Sequence, residues 1–235
     1  HDAAPVWHES LASVPAGPLL LVANEFLDAL PILQYERRGG RWCERRVGLS
    51  GDGESLIFVI ETSNGLSLPP ASLPDTSDGS IFELCAPAIA LAAALGRRVA
   101  QVGGAALFID YGHTKSAFGD TLQAVRNHRY QPVLHDPGNA DITAHVDFAA
   151  FATAARGEGA VVHGPVTQSV FLRALGIELR KRRLLESATA EQAEAIESGV
   201  RRLIDDAEMG TLFKVLAITH PALAAPAGFA ETAAP

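Results

Sequence analysis

The chain has 235 residues, of which 48% are hydrophobic and 20% are charged. These proportions are typical of a folded domain with its own core and exclude a disordered chain. The net charge of −8 at pH 7 disfavours binding to nucleic-acid phosphate, so we expect no nucleic-acid partner. No apolar run reaches the roughly 18 residues of a transmembrane helix, so no membrane insertion is predicted. The two cysteines exclude a disulfide framework and favour a cytoplasmic protein.

Two short apolar runs predict buried parallel strands at residues 19–23 and 104–110, because breaker or polar residues bound each run. Between them, an alanine-rich stretch at 87–101 begins with Pro87 and is followed by Gly103, which predicts a helix. A strand, a helix and a strand in this order indicate an α/β fold with a right-handed crossover.

The segment 31–83 departs from this alternation and is predicted to be a β-rich insertion. Its apolar runs are short, and Gly, Asp, Ser and Pro separate them. The predicted strands are residues 32–36, 42–49, 56–60 and 81–84. Residues 1–30 and 84–220 then belong to the α/β domain. The alanine- and proline-rich tail, 221–235, is expected to be flexible.

The C-terminal half alternates predicted helices with late strands. Thr189 and Gln192 have the spacing of a capping box, which opens one of the helices. The helices are predicted at 146–156, 167–175, 178–185 and 189–204, and the strands at 161–162 and 211–218. The polar stretch 119–147 carries several histidines without metal-ligand spacing, so we predict a long ordered loop and no metal site.

Polar residues follow both of the first predicted strands, at the edge of the sheet where ligands bind in open α/β folds. Asn24, Glu25 and Asp28 follow the first strand, and Asp110 and Tyr111 come at the end of the second. Because adjacent parallel strands end at the same edge, we expect these residues to form one site. In the alternative interpretation, Asn24 and Asp28 only cap the following helix.

Several motifs occur in a fixed order along nearly the whole chain. They are Asn24-Glu25-Phe26-Leu27-Asp28 with Pro31, Ile109-Asp110-Tyr111-Gly112, Gly119-Asp120-Thr121 with Arg126 and His128, Asp136-Pro137-Gly138 with Asp141, Thr143, His145 and Asp147, and Met209-Gly210 with Phe213-Lys214. Together they resemble the MidA-like family of S-adenosylmethionine-dependent methyltransferases, whose mitochondrial members are complex I assembly factors that methylate a protein arginine. The resemblance implies the C-terminal part of a Rossmann-like class I methyltransferase sheet, with the β-rich insertion and extra helices.

The resemblance also implies S-adenosylmethionine as the cofactor and a protein substrate, with a respiratory complex I subunit as one candidate. A guanidinium acceptor is cationic, so carboxylates are expected to hold it. The catalytic candidates are Glu25, Asp28 and Asp110. The cofactor-binding candidates are Trp7, His8 and Asn24. The substrate-binding candidates are Gln34, Tyr111, His128, Thr143 and His145, and either His128 or His145 is a candidate to accept the released proton.

The chain departs from the family pattern because it contains no Glu-x-Gly-x-Gly-x-Gly loop and begins with His1. We therefore expect it to lack part of the cofactor pocket and to be inactive alone. A truncated sheet would expose an edge strand, which allows a homodimer. A bacterial member is expected in the cytoplasm and eukaryotic relatives in mitochondria.

Two other functions stay open at this point. One is a non-catalytic assembly factor that holds a partner through residues 31–83. The other is a different nucleotide-dependent Rossmann-like enzyme, which the absence of a Gly-x-Gly-x-x-Gly motif disfavours.

Overall fold

A computed structural model describes residues 4–62 and 76–229 of the chain. A short 3-10 helix, Leu11–Ser13, precedes the first strand. The strands in chain order are β1 (Leu19–Asn24), β2 (Leu33–Arg38), β3 (Arg41–Leu49), β4 (Leu56–Thr62), β5 (Ile81–Leu84), β6 (Gly104–His113), β7 (Gln123–Arg126), β8 (Arg129–Gln131), β9 (Asp141–Thr143), β10 (Val146–Asp147), β11 (Val161–Thr167) and β12 (Phe213–Thr219). The α-helices are α1 (Ala86–Val102), α2 (Phe148–Gly157), α3 (Gln168–Ala174), α4 (Ile177–Leu185), α5 (Ala190–Ile204) and α6 (Met209–Leu212).

The main sheet has the strand order β1-β6-β12-β11. β1 and β6 are parallel, whereas β12 runs antiparallel to both of its neighbours. β10 pairs in parallel with the last residues of β6. Register places Asn24 opposite Ile109, so β1 and β6 reach the same edge of the sheet, as the sequence predicts.

Helices α1 and α2 cover one face of the main sheet and form the core with it. The rings of Phe108 and Phe151 meet edge to face, with centroids 4.8 Å apart. The two helices pack closely because residue 96 is glycine. A Cβ at Gly96 would lie 2.5 Å from the carbonyl oxygen of Ala155. A larger residue there would therefore push α1 away from α2.

Helix ends follow the signals in the sequence. α1 has Pro87 in its first turn and ends at Gly103, whose φ of 101° suits glycine. The capping box predicted for Thr189 and Gln192 is present at the start of α5, with both reciprocal hydrogen bonds. The helix predicted at 146–156 begins later, at α2, because Val146 and Asp147 pair with β6 and the Asp147 side chain caps the helix.

The opposite face of the main sheet is covered unevenly. α3 and α6 pack beneath β11 and β12. Beneath β1, Leu20 is 86% exposed and Val22 is also exposed. Within residues 4–62 and 76–229, the outer edge of β1 has no strand partner. The β1 side of the sheet is therefore open, both at its edge and on this face.

The segment between β1 and α1 contains a second, antiparallel sheet with the order β4-β3-β2-β5. Its aromatic residue Trp42 stacks on Phe118, with centroids 5.5 Å apart. Glu83 of β5 accepts hydrogen bonds from the Gln34 amide, at 2.7 Å, and from the backbone N–H of Thr121, at 3.0 Å. These contacts attach the second sheet to the chain that leads into β7.

The polar stretch predicted as a long loop contains a third sheet, with the order β8-β7-β9. That prediction was wrong for these strands. The β7–β8 hairpin turns at Asn127 and His128, whose φ values of 51° and 60° match a type I′ turn. Strands of three or four residues are too short to show an alternating pattern.

The last described residues lie against the domain. The ring of Phe229 packs on Phe171, with centroids 5.2 Å apart. The remainder of the predicted flexible tail, 230–235, lies outside the described residues. Among the helices of the described ranges, none is both long enough and apolar enough to cross a membrane.

Candidate active site

A pocket of about 460 Å³ lies between the ends of β1 and β6 and the third sheet. It is called the acidic pocket below, because three carboxylates line it. Its lining residues are Glu25, Asp28, Ala29, Tyr111, Gln123, Val125, Ala140, Asp141, Ile142 and Thr143. The structure thus brings together four residues that the sequence singles out, namely Glu25, Asp28, Tyr111 and Thr143.

Asp28 is the most buried carboxylate of the acidic pocket, with 6% of its surface exposed. Its Oδ2 accepts a hydrogen bond from the Tyr111 hydroxyl. Its Oδ1 is buried and has no hydrogen-bond partner among the described residues. Burial and the bond to Asp28 raise the pKa of Tyr111, which keeps its hydroxyl protonated as a donor. Asp28 is therefore held by one oxygen and lacks a partner on the other.

Asp110 is almost fully buried and does not line the acidic pocket. Its Oδ2 accepts hydrogen bonds from the backbone N–H groups of Phe26 at 3.1 Å, Leu27 at 2.8 Å and Asp28 at 3.3 Å. Burial and the charge of Asp28 raise the pKa of Asp110 to about 6, although its backbone hydrogen bonds act in the opposite direction. This geometry fits a residue that positions the loop after β1.

Glu25 and Asn24 lie at the point where β1 turns into this loop. Glu25 has a φ of 47°, in the left-handed region that non-glycine residues rarely adopt. Its backbone N–H donates to the carbonyl oxygen of Ile109 at 2.9 Å, which fixes the turn. Glu25 lines the acidic pocket, whereas Asn24 lines a second pocket. Two neighbouring residues of this turn therefore line different pockets.

The second pocket, called the edge pocket below, has a volume of about 510 Å³ and follows β1. Its lining residues are His8, Glu9, Ser10, Leu11, Val14, Leu21, Val22, Ala23, Asn24, Phe26, Leu91 and Phe108. Two of the three predicted cofactor-binding residues, His8 and Asn24, meet here. The third, Trp7, is 90% exposed and does not line the pocket.

The lining of the edge pocket has the composition expected of a site for the adenosyl part of S-adenosylmethionine. Cofactor sites are mostly apolar, with a few polar groups that set orientation. The rings and aliphatic chains of Leu21, Leu91 and Phe108 supply the apolar wall, and Asn24 supplies an amide at the carboxyl end of β1. Ligands of open α/β sheets bind at this end of the strands.

Three predicted substrate-binding residues do not line the acidic pocket. Gln34 is buried in the second sheet, where its amide donates to Glu83 and to Asp120 at 2.9 Å. His128 lies in the turn of the β7–β8 hairpin. His145 lies behind Tyr111, with ring centroids 5.7 Å apart, and burial lowers its pKa.

Six of the ten lining residues were not site candidates from the sequence, and Gln123, Val125 and Asp141 are among them. Asp141 was named only as part of a family motif. Asp141 stands two residues before Thr143, and in a strand this spacing places both side chains on one face. This spacing can be interpreted only when β9 is known to be a strand. Within the described ranges, no group of three or more His, Cys, Asp or Glu residues could hold a metal ion.

Comparison with known proteins agrees with the resemblance found in the sequence. The profile of a family described as "Putative S-adenosyl-L-methionine-dependent methyltransferase" matches residues 1–166. The chain therefore belongs to this family. The mixed sheet and its extra strands and helices confirm the predicted α/β fold class.

Relatives extend the match over most of the chain. It is 38% identical over 230 residues to a Drosophila melanogaster protein and 35% identical over 216 residues to one from Caenorhabditis elegans. Both are named "Protein arginine methyltransferase NDUFAF7 homolog, mitochondrial". The matches cover 93% and 90% of this chain but 51% and 50% of the relatives. The chain thus spans about half the length of these relatives.

A solved structure shows the same fold. A Burkholderia thailandensis protein crystallised with S-adenosyl-homocysteine bound matches with a TM-score of 0.81 and 30% identity. The match covers 94% of this chain and 58% of that protein. A native structure from the same organism matches equally well, with a TM-score of 0.81.

Proposed function

We propose that this chain carries the acceptor site and part of the cofactor site of an S-adenosylmethionine-dependent methyltransferase that acts on a protein arginine. The observation that carries the proposal is Asp28, a buried carboxylate that lines an acidic pocket and whose Oδ1 has no hydrogen-bond partner among the described residues. A buried acceptor without a partner costs free energy, which a bound cation with N–H donors would recover.

A guanidinium group fits the acidic pocket better than an ammonium group. Glu25, Asp28 and Asp141 present carboxylates from three different places along its wall. Guanidinium is planar and offers five N–H donors, so it can bond several carboxylate oxygens at once. An ammonium group is more strongly hydrated and acts as a point charge. The pocket therefore favours arginine over lysine.

The residues of the acidic pocket have separate tasks in the proposed reaction. The bound cofactor supplies a methyl group on a positively charged sulfur. The Asp28 carboxylate accepts a hydrogen bond from the reacting nitrogen and takes the proton that this nitrogen loses. The Tyr111 hydroxyl holds Oδ2 and fixes the plane of the carboxylate. Glu25 and Asp141 hold the remaining N–H groups, which orients the acceptor.

The loop after β1 connects the two halves of the proposed site. Asn24 and Phe26 line the edge pocket, while Glu25 and Asp28 line the acidic pocket. Alternate residues of one short loop thus face cofactor and acceptor. Asp110 keeps the loop in place through its backbone N–H groups.

A protein is the proposed substrate, and the family resemblance makes a respiratory complex I subunit the first candidate. The names of the Drosophila and Caenorhabditis relatives state a mitochondrial location. A cytoplasmic location for a bacterial protein and a homodimer through the open edge of β1 stay predictions.

A second candidate function is a non-catalytic assembly factor. Exposed apolar side chains at the outer end of the β3–β4 hairpin, including Val47 and Leu49, favour a contact with a partner protein there. In that case the acidic pocket would support no methyl transfer.

The test compares binding of two peptides that differ only in charge at one residue. The first is acetyl-Gly-Gly-Arg-Gly-Gly-amide, and the second carries neutral citrulline in place of arginine. We expect the arginine peptide to bind at least tenfold more tightly, and Asp28→Asn to remove this preference. Glu197→Gln on the exposed side of α5 removes one negative charge elsewhere and should leave it unchanged.

Calorimetry with S-adenosyl-homocysteine and mass spectrometry of the arginine peptide complete the test on the full-length protein. Methylation of arginine that depends on Asp28 supports the enzyme. Equal binding of the arginine and citrulline peptides would overturn the acceptor site. Selective binding without any transfer would place the assembly factor first.

A further inference from the structure

One wall of the acidic pocket is a short sheet whose register places three side chains in a row. Val125 of β7 is paired with Tyr130 of β8 on one side and with Asp141 of β9 on the other. Directly paired residues of antiparallel strands project to the same face. Val125 and Asp141 line the acidic pocket. Tyr130 lies next in the row, outside the pocket, and is 78% exposed.

The other face of this sheet carries a buried alanine and two arginines. Ala124, between Gln123 and Val125, is fully buried, so the hairpin is anchored on the body of the protein. Arg126 and Arg129 are paired with each other one position further along, on the face opposite to Tyr130. The exposed aromatic ring is therefore on the face that continues from the acidic pocket, and the two arginines are not.

We infer that the row Tyr130–Val125 is the docking surface for the substrate polypeptide beside the acceptor arginine, and that it selects a large apolar side chain two residues from that arginine. The inference rests on the proposed function and adds the sequence context of the substrate. An extended polypeptide is the occupant because the surface is continuous with the pocket that receives the arginine. Exposed tyrosines provide large contact area at low entropic cost.

The spacing of the row sets which substrate residue it contacts. Neighbouring strands are about 4.8 Å apart, so Tyr130 lies about 10 Å across the sheet from Asp141, with Val125 between them. In an extended peptide, residues i and i+2 project to the same side about 6.5–7 Å apart, while residue i+1 points away. An arginine in the acidic pocket therefore places the side chain two residues away over Tyr130 and Val125.

The experiment measures binding of three acetylated peptide amides by calorimetry. They are Gly-Gly-Arg-Gly-Gly, Leu-Gly-Arg-Gly-Leu with leucine two residues away on both sides, and Gly-Leu-Arg-Leu-Gly with leucine one residue away. We expect the second peptide to bind about fivefold to tenfold more tightly than the first, as partial burial of one leucine implies. The third should gain less than twofold.

Three variants test whether the higher affinity of the second peptide comes from the ring of Tyr130. Tyr130→Ala should remove the advantage of the second peptide, while Tyr130→Phe should retain it because the ring is kept. Arg129→Ala, on the adjacent residue of the same strand but the opposite face, is the matched control and should leave the advantage unchanged. Binding of Gly-Gly-Arg-Gly-Gly should stay within twofold in Arg129→Ala.

The outcomes separate this inference from the proposed function. Equal affinities for the three peptides, all above that of the citrulline peptide, would overturn the docking surface and leave the acceptor pocket standing. An advantage that persists in Tyr130→Ala would do the same. No preference for arginine over citrulline would overturn both.

Discussion

The acidic pocket and the edge pocket lie on two sides of one loop, yet they are built differently. The acidic pocket takes its walls from the β1–β6 edge and from the third sheet, and the Tyr111 hydroxyl holds its buried carboxylate, Asp28. The edge pocket is lined by the stretch before β1, by β1 itself and by single residues of α1 and β6. In the described ranges, no strand covers the outer side of β1. The acceptor site is thus the more completely organised of the two.

Because the two pockets differ in this way, variants in them should differ in how strongly they weaken ligand binding. A side chain in the organised pocket has defined partners, so its removal leaves other buried polar groups without theirs. A side chain in the edge pocket lies beside an open strand and has fewer such partners. We therefore expect large, selective losses from the acidic pocket and smaller ones from the edge pocket.

The largest expected effect comes from Asp28→Ala. Truncating one partner of a buried charged pair costs about 2–5 kcal/mol, so we expect affinity for the arginine peptide and the rate of methyl transfer to fall at least about 30-fold. S-adenosyl-homocysteine affinity should stay within twofold. Calorimetry with both ligands checks the split, and Glu197→Gln is the control. A parallel loss of both affinities would show that Asp28 supports the whole loop rather than the acceptor alone.

Asp110→Asn tests the residue that holds the loop between the two pockets. We expect this variant to change how the free energy of unfolding depends on pH. The folded protein raises the pKa of Asp110 to about 6, so the folded state binds this proton more tightly than the unfolded state. Its contribution to stability is therefore largest below pH 4 and falls by about 3 kcal/mol as the pH rises from 4 to 7.

Asn cannot ionise, and its one carbonyl oxygen can keep the three bonds made to Oδ2 but not the bond from the Tyr111 N–H to Oδ1. The variant should therefore be less stable at every pH and should lack this slope. Chemical unfolding of both proteins between pH 4 and 7 measures the difference and cancels the contributions of other carboxylates. Stability curves that stay parallel would show that Asp110 has the same pKa folded and unfolded.

The part of the site that could be predicted from the sequence is the part that follows continuous apolar runs. β1 and β6 are bounded by clear breakers, so the positions of Glu25, Asp28 and Tyr111 at strand ends follow directly. Asp110 was expected beside them as a catalytic group. Its carboxylate accepts hydrogen bonds from four backbone N–H groups, three on Oδ2 and that of Tyr111 on Oδ1, and an orientation of this kind has no signal in the sequence.

The remainder depends on contacts between distant segments. Asp141 and Gln123 reach the acidic pocket only because β7 and β9 pair, and those strands are too short and polar to be recognised. Gln34 and His128 were placed near the substrate on the resemblance alone. The pairing of β2 with β5 buries the first, and the hairpin turn carries the second away.

A moderate effect is expected from Tyr111→Phe. The variant removes the donor to Oδ2 of Asp28 and leaves both oxygens of this carboxylate without a partner. The free energy of unfolding should fall by about 1–3 kcal/mol, and transfer should slow about tenfold because the carboxylate loses its orientation. Thermal unfolding and single-turnover transfer measure the two effects. An unchanged transfer rate would remove Tyr111 from the acceptor site.

The smallest effect is expected from Asn24→Ala, which tests the edge pocket by itself. The amide of Asn24 lies at the carboxyl end of β1 and is the one polar group that β1 offers to the pocket. Losing one hydrogen bond costs about 1 kcal/mol, so S-adenosyl-homocysteine should bind about fivefold more weakly. The Asn24 amide also donates to Oε1 of Glu25 at 3.2 Å, so binding of the arginine peptide should weaken slightly, by less than twofold. Glu25 and Asp28 keep their backbone contacts. If calorimetry instead shows a lost arginine preference and an intact cofactor affinity, the two pockets have been assigned the wrong way round.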